Sequence, residues 1–101
     1  MHLSFNADAR IELDDARQHY AKIEADLARD FLSEIEKAIH KIKENPFAWP
    51  PYTRSTRRYL LSRFPYHVIY YMRSDDIVIV AVAHAKRDPS YWLTRIDEPQ
   101  P

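Results

Sequence analysis

Glycine is missing from all 101 residues, and so is cysteine. Without glycine there is no phosphate-cradling loop and no dinucleotide-binding fingerprint. Without cysteine there is no disulfide and no thiolate metal site, which fits a cytoplasmic location. No stretch approaches the roughly 20 apolar residues of a membrane-spanning helix, so no membrane partner is expected. Met1-His2-Leu3-Ser4-Phe5 lacks the charged start and apolar run of a secretion signal. A net charge is lacking as well: 15 Lys and Arg balance 15 Asp and Glu. A protein that grips a nucleic-acid backbone usually carries a clear basic excess, and this one does not. The balance hides an asymmetry. Residues 1–45 carry 7 cations against 10 acids, and residues 46–101 carry 8 against 5, so the halves stand at −3 and +3.

What is present is apolar patterning at 46% hydrophobic residues, enough for one core in a chain of this length. The strongest signal is Ile77-Val78-Ile79-Val80-Ala81-Val82-Ala83, an unbroken run rich in β-branched residues. It is short for a helix, and it does not alternate because both its faces are apolar; it reads as a strand buried on both sides. Tyr66 to Met72 reads as a second strand, with turn chemistry between the two at Ser74-Asp75-Asp76. Arg57 to Ser62 reads as a third, and Pro65, which has no amide hydrogen to donate, belongs at the entrance of the second. These three form an antiparallel meander that ends at His84-Ala85-Lys86-Arg87.

Before the meander, His2 to Phe5 reads as an edge strand and Asn6 as a helix N-cap. Ala9, Leu13, Ala16, Tyr20, Ile23 and Leu27 then recur at helical spacing, followed by Leu27, Phe31, Ile35, Ala38 or Ile39, and Ile42. One continuous helix over this stretch would be about 57 Å long, beyond the diameter of so small a domain. The chain must therefore fold back as a helical hairpin, with the break expected near Ile23 to Asp26 and Asp26 as the second cap. Asn45-Pro46 ends the second helix. Pro46-Phe47-Ala48-Trp49-Pro50-Pro51-Tyr52 is a stiff connector whose aromatics are expected to pin it to the domain. Ser90 to Leu93 reads as one helical turn. The expected organisation is a single domain over residues 1–96 with a flexible tail over 97–101. The fold class is α+β, in the order β-α-α-β-β-β, with the hairpin packed on an antiparallel sheet.

This order, with Asn45-Pro46 closing the second helix and Arg58-Tyr59-Leu60 opening the sheet, resembles the RelE/ParE family of bacterial type II toxin–antitoxin toxins. Phe64-Pro65-Tyr66-His67-Val68-Ile69-Tyr70 is similar to the family's FPYxVxY signature. Val82 to Pro89 is similar to its VxHxxRxP signature. The resemblance implies a toxin held in check by a cognate antitoxin that folds on binding. Its target would be DNA gyrase in the ParE-like, plasmid-stabilisation branch. In the RelE-like branch it would be ribosome-bound mRNA, cut without a metal.

Cutting RNA through its 2′-hydroxyl needs a proton acceptor, cations for the phosphorane charge and an acid for the leaving oxygen. On the RelE pattern, Arg58 and Arg87 stand at basic positions. His67 replaces an arginine, Leu60 a lysine and Leu93 the carboxy-terminal tyrosine, with Tyr91 two residues away. Two cations survive and the acid–base set is broken or moved, which favours the ParE-like branch and leaves open whether the chain is an enzyme. The ribonuclease candidates would be Arg58, His84, Arg87 and Tyr91.

Each candidate has a plainer reading. His84 is either an acid–base group or a local hydrogen-bonding residue that shapes the turn into Lys86. Arg87 with Asp88 is either a partner contact or a surface ion pair. Arg54, Arg57, Arg58 and Arg63, with Tyr52 and Tyr59 among them, are a nucleic-acid surface working by charge and stacking, a target or antitoxin surface, or a solvated strand flank. Strand alternation divides them between two faces. Ala16, Tyr20, Leu27 and Phe31 offer an apolar strip to an antitoxin helix unless that strip is spent on the sheet. His19 and His40 have no second ligand one turn away, so no metal and no cofactor is expected.

Overall fold

The computed structural model describes residues 1–96; the expected tail, 97–101, lies outside them. Strand β1 (His2–Phe5) leads into helix α1 (Ala7–Ile23) and helix α2 (Ala25–Glu44). Strands β2 (Arg57–Leu60), β3 (Tyr66–Arg73) and β4 (Asp76–His84) follow, and a 3-10 helix over Pro89–Arg95 ends the described chain. The order is the expected α+β one. The sheet runs β1-β4-β3-β2. β2, β3 and β4 form the antiparallel meander, while β1 joins β4 in parallel, Leu3 beside Ile77 and Phe5 beside Ile79, so the sheet is mixed.

The caps explain where the helices begin and end. The Asn6 side chain accepts from the Asp8 amide at 2.9 Å, satisfying one of the orphan donors at the start of α1. The hairpin breaks at Glu24, whose backbone is extended (φ −163°, ψ 136°) and whose N–H still donates to the Tyr20 carbonyl. Asp26 is not the second cap. It lies inside the first turn of α2, where it pairs with Arg29 and its charge complements the helix dipole. Asn45 ends α2, as the following proline requires. With glycine absent, Ser74 supplies the left-handed residue (φ 55°) of the β3–β4 turn.

The sheet is apolar on both faces. Toward the hairpin, Val68, Tyr70, Ile77, Ile79 and Val82 pack with Ala9, Ala16, Phe31, Ile35, Ala38 and Ile42. On the far face, Ile69, Tyr71, Val80, Ala81 and Ala83 are covered by Trp92 of the 3-10 helix. The run 77–83 is therefore buried on both sides. A β-bulge between Ile69 and Tyr70 of β3 leaves Val80 of β4 as the extra residue, since Ile69 faces Ala81 and Tyr70 faces Ile79.

Trp49 and Tyr52 pin the proline-rich connector as expected, whereas Phe47 is left 61% exposed. The Tyr70 hydroxyl donates to the Pro46 carbonyl at 2.6 Å, and the Trp49 indole donates to Lys41 O and packs edge-on against Tyr59 at 4.7 Å.

Candidate partner-binding surface

The carboxy-terminal end of β4 brings together a cluster of titratable groups from α1, β3, β4 and the 3-10 helix. β1 covers β4 only as far as Ile79, where the Asn6 amide donates the last backbone bond. Beyond that point side chains replace the missing strand. Glu12 on α1 accepts from the Val82 N–H at 3.1 Å, and Arg95 of the 3-10 helix donates to the Val80 carbonyl at 3.1 Å. Glu12 and Arg95 also bond each other, at 2.9 and 3.2 Å, with only 15% of either side chain exposed.

Next to this pair an open cleft of about 270 Å³ is lined by Glu12, Asp15, His19, Tyr66, His84 and Arg87. The imidazole of His84 accepts the Lys86 amide at 3.2 Å and lies 5.5 Å from the Tyr66 ring. The local hydrogen bond read from the sequence is thus present and engages one ring nitrogen. Arg87 makes no ion pair with Asp88. Asp88 instead caps the 3-10 helix by accepting from Ser90 N at 2.8 Å, a bond that holds its carboxyl below the usual range. The Arg87 guanidinium lies 3.6 Å from the centroid of the Tyr91 ring, with Arg95 at 5.1 Å from the same ring. Burial and the neighbouring Glu12 carboxylate push the Tyr91 phenol well above its usual range. A phenol so held is a poor source or sink of protons at neutral pH.

On the face of the sheet that Trp92 covers, Arg58 stacks on Tyr52 at 4.5 Å, and Tyr52 in turn meets His67 and Trp92. His67 is 1% exposed, and its Nδ1 has no partner among the described residues. Burial, followed by the Arg58 and His84 charges, pushes its pKa down to about 4. It is neutral near pH 7 and out of reach of a substrate.

Other sequence candidates are taken up by the fold. Arg57 donates to the carbonyls of Trp49 (2.7 Å) and Phe47 (3.3 Å), so its guanidinium holds the connector. Arg63 pairs with Asp30 at 3.2 Å and ties the β2–β3 loop to α2. Phe31 is wholly buried and meets Tyr20, Phe64 and Tyr66 with ring centroids 5.3–5.4 Å apart, so it is core and cannot touch a partner. Ala16 is core with it, whereas Tyr20 keeps one edge at the surface. The structure thus brings together His84, Arg87 and Tyr91 near the end of β4. It places Arg58 beside Tyr52, buries Phe31, spends Arg57 on the connector carbonyls and leaves Arg63 exposed in its pair with Asp30. Glu12 and Arg95 carry no local sequence signal, being 83 residues apart.

Among the described residues no helix is long and apolar enough to cross a membrane. No curated protein matches the chain. A solved structure described as a chromosomal ParDE toxin–antitoxin system from P. aeruginosa superposes with a TM-score of 0.66 at 20% identity. The match covers 83% of this chain and 95% of that one, a likeness of fold. A family profile, ParE toxin of type II toxin-antitoxin system, parDE, matches residues 3–89. With most of the chain inside that match, and with the hairpin, meander and carboxy-terminal turn in the expected order, the chain belongs to the ParE toxin family of type II toxin–antitoxin systems.

Proposed function

We propose that this chain is a cytoplasmic toxin neutralised by a cognate antitoxin, and that it arrests growth by binding DNA gyrase rather than by cutting RNA. Membership of the ParE family carries the reading. The chemistry of the β4 end supports it. His67 is buried, Tyr91 lies under Arg87 with its phenol held protonated, and His84 has one nitrogen committed to a backbone amide. An exposed arginine on an aromatic platform, beside a cleft, suits recognition of a protein surface.

The experiment is induction of the chain alone and together with the short reading frame adjacent to it. The purified protein is then assayed for inhibition of gyrase supercoiling and for trapped gyrase–DNA complexes. Growth arrest relieved by the adjacent frame, with supercoiling inhibited, is the expected outcome. A harmless chain would sink the toxin reading. A second reading, a metal-independent mRNA endonuclease, draws on Arg58 and Arg87, both of which survive and both of which stand on tyrosine rings. Message cleaved on ribosomes, with cleavage lost in Arg58→Ala or Arg87→Ala, would replace the gyrase reading with this one.

A further inference from the structure

The outer edge of the sheet opposite β1 is closed at two ends and open in the middle. β2 pairs with β3 through Arg57 and Tyr59, so the backbone groups of Arg58 and Leu60 point away from the sheet. The Arg58 N–H is taken by the Pro50 carbonyl at 3.1 Å, and Pro51 bridges to Arg57. Farther along, the Glu34 carboxylate accepts the Ser62 amide (3.1 Å) and the Arg63 amide (3.3 Å). Between these closures the outward-pointing N–H and C=O of Leu60 find no backbone partner among the described residues, and Leu60 is 58% exposed. An edge left open in this way is a template for another strand. Beside it runs a groove of about 350 Å³ lined by Lys41, Trp49, Pro50, Arg58, Tyr59 and Leu60. Two aromatic rings form its floor, two cations flank it and no acid lines it. Lys37 stands one helical turn before Lys41, on the same face of α2.

We propose that this slot receives a short, extended, acidic segment of the antitoxin. The segment adds to β2 at Leu60, lays an apolar side chain against Trp49 and Tyr59, and sets carboxylates against Lys41 and Arg58. The proposal rests on the antitoxin reading above and specifies which surface the antitoxin meets. Charge favours this edge over the cleft at the end of β4: the groove is lined by two cations and no acid, whereas in the cleft Arg87 stands beside Asp15 and the Arg95-paired Glu12. Backbone pairing gives such an addition its affinity, and the groove and its cations give it specificity.

The test uses the complex recovered from the co-expression experiment. Hydrogen exchange at the Leu60 amide is expected to slow at least tenfold in the complex relative to the free toxin (an order-of-magnitude expectation for an amide that gains a partner). Lys41→Glu, an exposed substitution that leaves the core untouched, is expected to weaken binding about tenfold by calorimetry. It is also expected to flatten the salt dependence of binding, because it removes one attraction and adds one repulsion. A complex that forms but leaves the Leu60 amide unprotected would overturn the docking surface while the antitoxin reading stood. So would a Lys41→Glu toxin that binds unchanged, or free toxin that sediments as a dimer with Leu60 already protected. Recovery of no complex at all would overturn both readings.

Discussion

Arg95 Nη1 lies 2.9 Å from Glu12 Oε1, and the two side chains together stand in for a strand. One accepts the Val82 amide and the other donates to the Val80 carbonyl. The pair closes the edge of β4 where β1 stops, and it fastens the 3-10 helix that carries Tyr91 to α1. Charged hydrogen bonds of this kind, mostly withdrawn from water, are costly to break from one side.

Arg95→Ala is accordingly expected to lose about 2–3 kcal/mol, since it orphans both the Glu12 carboxylate and the Val80 carbonyl. For a domain of this size that corresponds to a fall in Tm of roughly 10–20 °C. Thermal and urea unfolding followed by far-UV circular dichroism would check it. A loss under about 0.5 kcal/mol would show that the pair contributes little.

His67 gives stability a pH dependence whose sign follows from its burial. In the unfolded chain an imidazole takes its proton near pH 6.5, whereas in the folded protein this one resists until about pH 4. Between those values the unfolded chain binds more protons, so this contribution is full above pH 6.5 and is lost as the pH falls toward 4. By pH 5 the loss amounts to about 2 kcal/mol. Urea midpoints at pH 7.5 and pH 5 would show it. His67→Phe, which keeps a ring against Tyr52, is expected to flatten the difference.

Phe31 and Tyr20 separate core from surface. Phe31→Ala is expected to cost about 3–5 kcal/mol, and any loss of antitoxin binding would follow from unfolding. If Phe31→Ala kept its unfolding midpoint but lost the antitoxin, the assignment of Phe31 to the core would fail.

Arg57 and Arg87 are expected to diverge. Arg57→Ala releases two carbonyls of the connector and is expected to cost about 1–2 kcal/mol in stability. Arg87→Ala removes an exposed stacked guanidinium and is expected to shift stability by less than about 1 kcal/mol while weakening growth arrest. Midpoints and growth curves measured side by side would check the divergence; the reverse pattern would exchange their roles.

Much of this fold is legible in the sequence because its signals are local. The β-branched run 77–83 marks the central strand, and a 39-residue stretch from Ala7 to Asn45 without glycine or proline has to turn back on itself. The parallel docking of β1 is not legible, because nothing in His2 to Phe5 states a direction. Nor is the break at Glu24 as opposed to Asp26. Both residues are acidic and within two positions of each other, and the extended backbone at Glu24 is set by how the two helices pack. The site was the least legible part. Four arginines read alike in sequence, and only tertiary packing spends Arg57 on two carbonyls and Arg63 on Asp30 while leaving Arg58 and Arg87 on tyrosine rings.

The extra residue in β4 governs more than a local twist. Side chains along a strand take turns pointing up and down, and Val80 makes that count skip a beat, so Val82 and His84 keep company with Ile77 and Ile79 instead of opposing them. Deleting Val80 alone would remove the bulge and restore simple alternation, leaving Val82 and His84 on the face they already occupy. Straightening β4 with Val80 kept in the alternation would instead drive Val82 toward Trp92 and carry the imidazole of His84 from the Tyr66 side to the opposite face. The rim beyond Val82 thus keeps its orientation because the ladder absorbs one extra residue as a bulge instead of counting it.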